Sequence, residues 1–442
     1  MRGSTYPELK SWGRAAEVHA GPAADAQDGA GGTEGTRHRL SWEPWWGELR
    51  AVAVVRGRIP QILAFWTVKA ELGCIPAVSD PHPSIVVAVP ARNEARHIAR
   101  TVRALAAQVD ADGLPLPGYE VWVLVNNSDH RTAQRAAQAL PPGAPVRVVT
   151  RTLPRGEDNV VGARRAALDL AAARLGEAGQ GVLVSTDADS VPAPDWLWQL
   201  GAALRAGADA ACGRILLGAA ERARLPAPVR RVYLQDLAYR LAAEHLTARL
   251  NPDPGDPWPR HHQHFGANLA LTLGAYRRVG GVPDVPCLED VALVQALRRH
   301  DLRVRRTPHA RVHTSARTGG RVTVGLSTQL AEWHADPGAW RVPGAAEVAA
   351  LARAEAALRA RFRGGGPHLA DLWLAPPGDL REALGAPTLG LALEAAHAAR
   401  SRTGLWAARH PPVPVARALA DVRALVQAGG HARSLDPSPH PG

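Results

Sequence analysis

The sequence predicts an α/β fold, a mostly parallel sheet with helices on both faces, followed by a helical C-terminal region. Three observations carry this. Short apolar runs alternate with longer stretches whose apolar residues recur at helical spacing. The runs are apolar on both parities, as in strands buried on both faces, and strands alternating with helices are the pattern of a parallel sheet. Beyond Gly344 the texture changes to Ala/Arg/Leu-rich helix.

The elements follow in order. SIVVAVP (84–90) is the first strand, and residues 94–108 place Ile98, Val102, Leu105 and Ala106 on one helical face. VWVLV (121–125) and residues 129–140 form the second strand and helix. VRVVT (146–150) and residues 160–176 form the third pair. GVLVS (181–185) is the fourth strand, and a helix is expected near 192–200. After Asp209 the pattern loosens. A long helix at 227–250 leads into the Pro-rich NPDPGDPWPR (251–260), and a further strand–helix region runs from Gln263 to about Thr307. A helix at 345–362 precedes GGGP (364–367), a hinge. The expected domains are a disordered tail (1–40), an N-terminal helical extension (41–82) with a helix near 62–72, the α/β domain (83–344) and the helical C-terminal region (345–442).

The 442 residues carry a formal net charge of +11, with the basic surplus concentrated away from both ends. That suits anionic ligands, phosphates among them. No block of five or more consecutive basic residues and no recognisable nucleic-acid module appears, so no nucleic-acid partner is expected. Three scattered cysteines, with no CxxC, point to free thiols in a reducing compartment. No segment is long and apolar enough to span a bilayer, and no apolar leader is evident, so the expected location is cytoplasmic with no integral membrane segment. Amphipathic spacing after 345 predicts packing on the α/β domain or on another copy of the chain.

Chemistry-bearing residues gather where strands end. In open α/β sheets ligands bind beyond the carboxyl ends of the strands. The fourth strand stops at Asp187-Ala188-Asp189, and two carboxylates there can hold Mn²⁺ or Mg²⁺ bridged to substrate phosphates. A helix cap is the plainer use of Asp189. Ala91, Asn93 and Glu94 follow the first strand. Asn126 and Asn127 follow the second, offering amides to a base or ribose. Arg164, one turn into the third helix, can reach a diphosphate. Ala267 and Asn268, in a Gly-punctuated strand and turn, can face a ligand. Glu289 and Asp290 open a helix, where Asp290 can take a proton from an attacking hydroxyl. HHQH (261–264) lacks zinc-site spacing. His313 follows a short strand and is a candidate third ligand for the ion at Asp189.

The order strand–PxxNE, strand–NNSxxRT, GARRAAL, TDADS, GANLAL and LED resembles the family 2 glycosyltransferases over residues 83 to about 320. The resemblance implies a GT-A fold and sugar transfer from a nucleotide-diphospho-sugar donor, assisted by Mn²⁺ or Mg²⁺. It implies that Ala91, Asn93 and Glu94 surround the nucleoside, that Arg164 neighbours the diphosphate, and that Asp187 and Asp189 are the DxD, with Asp189 the metal ligand. It implies that Asp290 is the catalytic base of an inverting reaction. Asn126 and Asn127 replace the family's usual acidic pair, so uridine specificity does not carry over. No QxxRW follows the ED pair, which points to a non-processive enzyme. His313 matches a metal ligand of only some related enzymes. The alternatives are a sugar-nucleotide-forming nucleotidyltransferase, whose Gly-rich loop and catalytic lysine are missing here, and a catalytically silent nucleotide-binding or scaffold protein of the same fold. The acceptor is not specified, and association with a second copy stays open.

Overall fold

A computed structural model of the chain describes residues 84–176, 181–319 and 325–434, with side chains of the last helix up to 428. The expected tail (1–40), the N-terminal extension (41–82) with its helix, Cys74 and the closing residues 435–442 lie outside the described residues.

The first half builds as its periodicity predicts. β1 (Ile85–Ala91) is followed by α1 (Ile98–Ala106), β2 (Tyr119–Asn126) by α2 (Thr132–Gln138), and β3 (Val146–Arg151) by α3 (Val160–Leu175). β4 (Val182–Ser185) ends at the acidic turn. Two-residue β5 (Val191–Pro192) and α4 (Trp196–Arg205) come next. β6 (Ala210–Leu217) leads to short α5 (Ala219–Arg224) and long α6 (Ala227–Leu250). After the Pro-rich loop a single 3₁₀ turn, Gly266–Asn268, opens β7 (Leu269–Thr272) and α7 (Leu273–Arg278). α8 (Glu289–Arg299), β8 (Val304–Thr314) and α9 (Leu326–Ala335) follow. β9 (Arg341–Val342), α10 (Ala345–Phe362), α11 (Ala370–Trp373), α12 (Pro377–Leu384), α13 (Leu389–Thr403), α14 (Leu405–Arg409), β10 (Val413–Pro414) and α15 (Val415–Ser434) complete the described chain.

Eight strands form one sheet in the order β3-β2-β1-β4-β7-β6-β8-β5. β3, β2, β1 and β4 run parallel, with Ile85 opposite both Tyr119 and Val182. β7 is antiparallel to β4 and β6, while β6 and β8 are parallel. Val86 through Val89 are all fully buried, so both faces are covered. Val87 and Val89 pack with Ile98, Val102 and Leu105 of α1 and with Trp196 and Leu200 of α4, while α3 also packs along β1.

A second core joins α6 and α9 to the C-terminal region. Tyr233, Trp333, Trp340, Val348 and Val422 share it, and both α10 and α15 pack along α6. A third core, around Trp373, Leu380 and Ala396, holds α10 through α13 together. The helix expected near 192–200 begins only at Trp196, with Asp195 rather than Asp189 at its start.

Candidate active site at the carboxyl ends of the strands

A cavity of about 640 Å³ opens where β1, β2 and β4 end, walled further by α3, α6, α8, α9 and the 262–267 segment. Of the residues expected from sequence, it is lined by Ala91, Glu94, Asn126, Arg164, Asp187, Asp189, Ala267, Glu289 and Asp290. Asn93, Asn127, Asn268 and His313 are not in its lining.

The acidic turn is pinned from both sides. The Ala188 carbonyl accepts from Thr101 Oγ1 of α1 at 2.9 Å, and Thr186 Oγ1 donates to the Ala267 carbonyl at 2.9 Å. Asp189 Oδ2 accepts from Ser315 Oγ at 2.7 Å and pairs with Arg317 at 3.2 Å. Burial pushes the Asp189 carboxyl up, with Arg317 opposing and the nearby Asp187 reinforcing. Arg317 also donates to Glu94 Oε1 at 2.7 Å, tying the β1 and β4 edges together.

Arg164 is a strut. Its Nε donates to Glu289 Oε1 at 2.8 Å, Nη1 to Ser185 Oγ at 2.8 Å and Nη2 to Asp187 Oδ1 at 2.9 Å. The guanidinium that sequence assigned to a diphosphate thus spends three of its five N–H groups on protein partners. Gly266 makes room for it, since a Cβ there would lie 2.6 Å from Arg164 Cζ.

The two acids that open α8 diverge, as consecutive helix residues must. Glu289 is buried against Arg164. Asp290 accepts from the Gly266 N–H at 2.6 Å and from the Val291 N–H at 2.8 Å. Burial, then the neighbouring Glu289, push the Asp290 carboxyl up to about 6, against Arg164 and the two N–H groups.

The residues left out of the cavity have local work. Asn93 and Asn127 both sit at positive φ, 54° and 42°, which Asn tolerates. Asn93 Oδ1 accepts from Ser128 Oγ and the Asp129 N–H, and Asn127 clasps Leu153 through both ends of its amide. Asn268 is fully buried, accepting from Trp196 Nε1 and donating to the carbonyls of Arg214 and Ala310. His313 lies within β8, not after it, on the exposed parity with His309 and Arg311, while Ala310 and Val312 face inward. His261 is structural. Only its Nε2 can donate to the carbonyls of Cys212 and Thr307, and its Nδ1 accepts from the Gln263 N–H, which fixes the neutral ring.

Sequence reasoning missed Ser315 and Arg317. The signal lies in HTSAR (313–317), a hydroxyl and a guanidinium two and four residues after His313.

The cavity's charge is opposite to the chain's. Among the described residues its lining holds seven carboxylates (Glu94, Asp158, Asp187, Asp189, Asp236, Glu289, Asp290) against four arginines (Arg92, Arg164, Arg240, Arg317). Among the described residues, therefore, the basic surplus does not gather in this cavity. No group of three or more His, Cys, Asp or Glu among the described residues is arranged to hold a metal ion by itself. Mg²⁺ is ordinarily held by one or two carboxylates with phosphates and water; Asp187 and Asp189 both line the cavity, with Asp187 Oδ1 held by Arg164 and Asp189 Oδ2 by Ser315 and Arg317. No helix among the described residues is long and apolar enough to cross a membrane.

Residues 86–249 match the family model described as glycosyl transferase family 2. No curated protein matches the sequence. Similar solved structures include the mannosyltransferase PcManGT of Pyrobaculum calidifontis in complex with GDP-Man and Mn²⁺, at 19% identity and a TM-score of 0.37, covering 85% of this chain and 88% of that one. S. aureus TarS 1-349 in complex with UDP is 11% identical at a TM-score of 0.38, over 81% and 95% of the two chains. Glucosyl-3-phosphoglycerate synthase from Mycobacterium tuberculosis, with Mn²⁺, UDP-glucose and phosphoglyceric acid, is 18% identical at a TM-score of 0.34, over 53% and 72%.

Proposed function

We propose, on the premise that residues 86–249 belong to glycosyl transferase family 2, that this glycosyltransferase of GT-A type moves a sugar from a nucleotide-diphospho-sugar to an acceptor hydroxyl. The reaction is metal-dependent, non-processive and inverting, and takes place in the cytoplasm. The observation that carries the reading is one net-negative cavity that joins Asp187 and Asp189 to Asp290, about a hundred residues further along the chain.

Each residue's part follows from its surroundings. Asn126 is 1% exposed, and its Oδ1 has no partner though it lines the cavity. A buried acceptor of this kind is satisfied by a base N–H or ribose hydroxyl, so Asn126 with Ala91 and Glu94 holds the nucleoside. Asn93 and Asn127 support this pocket by shaping its loops. Asp187 and Asp189 would hold a divalent ion, which supplies charge neutralisation at the diphosphate leaving group. Arg164 fixes Asp187 and Glu289 in place, and Arg317 balances Glu94 and Asp189. Asp290, held by two backbone N–H groups, takes the acceptor's proton. A carboxyl near 6 is ionised at neutral pH yet basic enough to accept that proton. Attack from its side of the sugar gives inversion.

A donor screen tests the reading. Nucleotide sugars are incubated with the full chain, with and without Mn²⁺, and nucleotide release and product anomer are scored. Metal-dependent release and an inverted product are expected. A retained anomeric configuration would remove the single displacement, and no release from any nucleotide sugar would remove the activity.

A further inference from the structure

A second part of the same cavity differs in chemistry from the acidic part. It is walled by Tyr233 and Leu237 of α6, Gln329 and Trp333 of α9, and Phe265. Gln329 is 6% exposed and Trp333 1%, and neither Gln329 Nε2 nor Trp333 Nε1 has a hydrogen-bond partner. The two stand four residues apart on α9, so they share a face one above the other. Native structures seldom leave buried donors unpaired, and a pair of them lining one cavity wants explaining.

The charged groups here are already closed on each other. Arg240 Nε donates to Asp236 Oδ2 at 2.7 Å, and Trp340 Nε1 takes the other Asp236 oxygen at 2.9 Å. Burial keeps His262 and His264 neutral. Among the described residues that line it, the wall therefore offers two unpartnered donors and three aromatic rings, and its arginine, Arg240, is paired. Deepening the transferase reading, on which it rests, we infer that this wall binds the acceptor, and that the acceptor presents an uncharged sugar to Gln329 and Trp333. Sugar ring and hydroxyl oxygens accept from the amide and the indole, and the sugar's C–H faces lie against the aromatic rings. Among the described residues that line this wall, a phosphate or carboxylate acceptor meets only an arginine already paired with Asp236, and beyond it the excess carboxylates of the acidic part.

Two measurements on the full chain test this. In ¹H–¹⁵N spectra the Trp333 indole signal, assigned by Trp333→Phe, is followed during titration with methyl glycosides and, separately, with 3-phosphoglycerate. The indole signal is expected to move with at least one methyl glycoside and not with 3-phosphoglycerate. In transfer assays with the same acceptors, Gln329→Leu should raise the acceptor KM about tenfold, equivalent to about 1.4 kcal/mol, while nucleotide affinity by calorimetry holds. Melting midpoints show that both variants fold. An indole signal unmoved by any glycoside, as when buried water alone satisfies the donors, overturns the inference. So does an acceptor KM unchanged in Gln329→Leu, or preferential use of the phosphorylated acceptor. Glycoside binding without turnover of any nucleotide sugar would overturn the transferase reading and leave the sugar site standing.

Discussion

Among the described residues, two clusters of buried arginine and carboxylate differ in sign. Around Arg164 and Arg317 gather five carboxylates, Glu94, Asp187, Asp189, Glu289 and Asp290. Around Glu244 and Asp256 gather three arginines, Arg260, Arg305 and Arg306. The second cluster closes on itself. Burial alone would push the Asp256 carboxyl up, but Arg306 and Arg260 hold it below the usual range. In the first cluster the carboxylates outnumber the arginines, and burial leaves Asp189 and Asp290 raised. The first lines the cavity and the second does not. A buried ion-pair network is therefore no sign of function in itself; the unbalanced one, open to a cavity, is the one that calls for a ligand.

The sharpest way to break this contrast is to remove a carboxylate from the unbalanced cluster. Asp189→Ala should eliminate the Mn²⁺-dependent part of UDP or GDP binding, read by calorimetry, while the melting midpoint stays near that of the parent. Arg317 keeps Glu94, and the loss at Ser315, which is buried, is a single hydroxyl hydrogen bond. Unchanged metal-dependent affinity would show that the ion, if any, is held elsewhere.

Asp290→Asn comes next. Transfer should fall by roughly 10²–10⁴-fold, the usual worth of a general base, with nucleotide affinity retained. Both Asp290 oxygens accept backbone N–H groups, so the new amide must turn its NH₂ toward one of them. The melting midpoint therefore accompanies the rate. Full transfer in a folded Asp290→Asn protein would show another group to be the base.

Arg306→Met probes the balanced cluster. It removes the arginine that sits closest to both Asp256 and Glu244 and leaves Arg260 as the one they still share, and breaking a buried pair costs about 3–5 kcal/mol. Urea midpoints should fall accordingly, with nucleotide affinity unaltered. Loss of nucleotide binding in a folded variant would erase the distinction between the clusters.

How much of this was legible in sequence depends on the kind of signal. β1 to β4 and α1 to α3 were, because apolar runs and helical spacing are local properties. β6 was not. Its run is interrupted at Gly213-Arg214, where the pairing with β8 shifts register, and a Cβ at Gly213 would lie 2.4 Å from the Ala310 carbonyl oxygen. The reversed direction of β7 is set by tertiary connection, and LALT reads the same either way. In the site, acids at strand ends were legible as acids, and the cavity contains them. Whether a polar side chain faces the cavity or its own loop was not. Asn126 and Asn127 are adjacent and alike, but only Asn127 takes a positive φ and turns to Leu153. His313 carried a readable warning in the alternation with Val312, since neighbours on a strand face opposite ways. The negative charge of the cavity was hidden, because net charge along a chain says nothing of which charges meet.

The smallest expected effect is also the most specific to the proposed base. Glu289 stands next to Asp290, and after burial it is the main influence raising that carboxyl. Glu289→Gln removes the charge but keeps an oxygen to accept from Arg164 Nε, so the fold is expected to survive. It also leaves the Arg164 guanidinium less neutralised, which favours an ionised Asp290 further. Both changes act in one direction, lowering the Asp290 pKa. A general base works only when deprotonated, so kcat/KM of the parent should rise with pH through about 6 and level above it. In Glu289→Gln the same rise should occur at lower pH, with the plateau rate near neutral pH changed only modestly. The measurement is kcat/KM for transfer between pH 5 and 8 in both proteins, with stability checked across the range. An acid limb that stays where it was would mean that the titrating group is not beside Glu289. An acid limb moving to higher pH would mean that Arg164, released from Glu289, has turned away from Asp290, making the strut rather than the charge the way Glu289 acts.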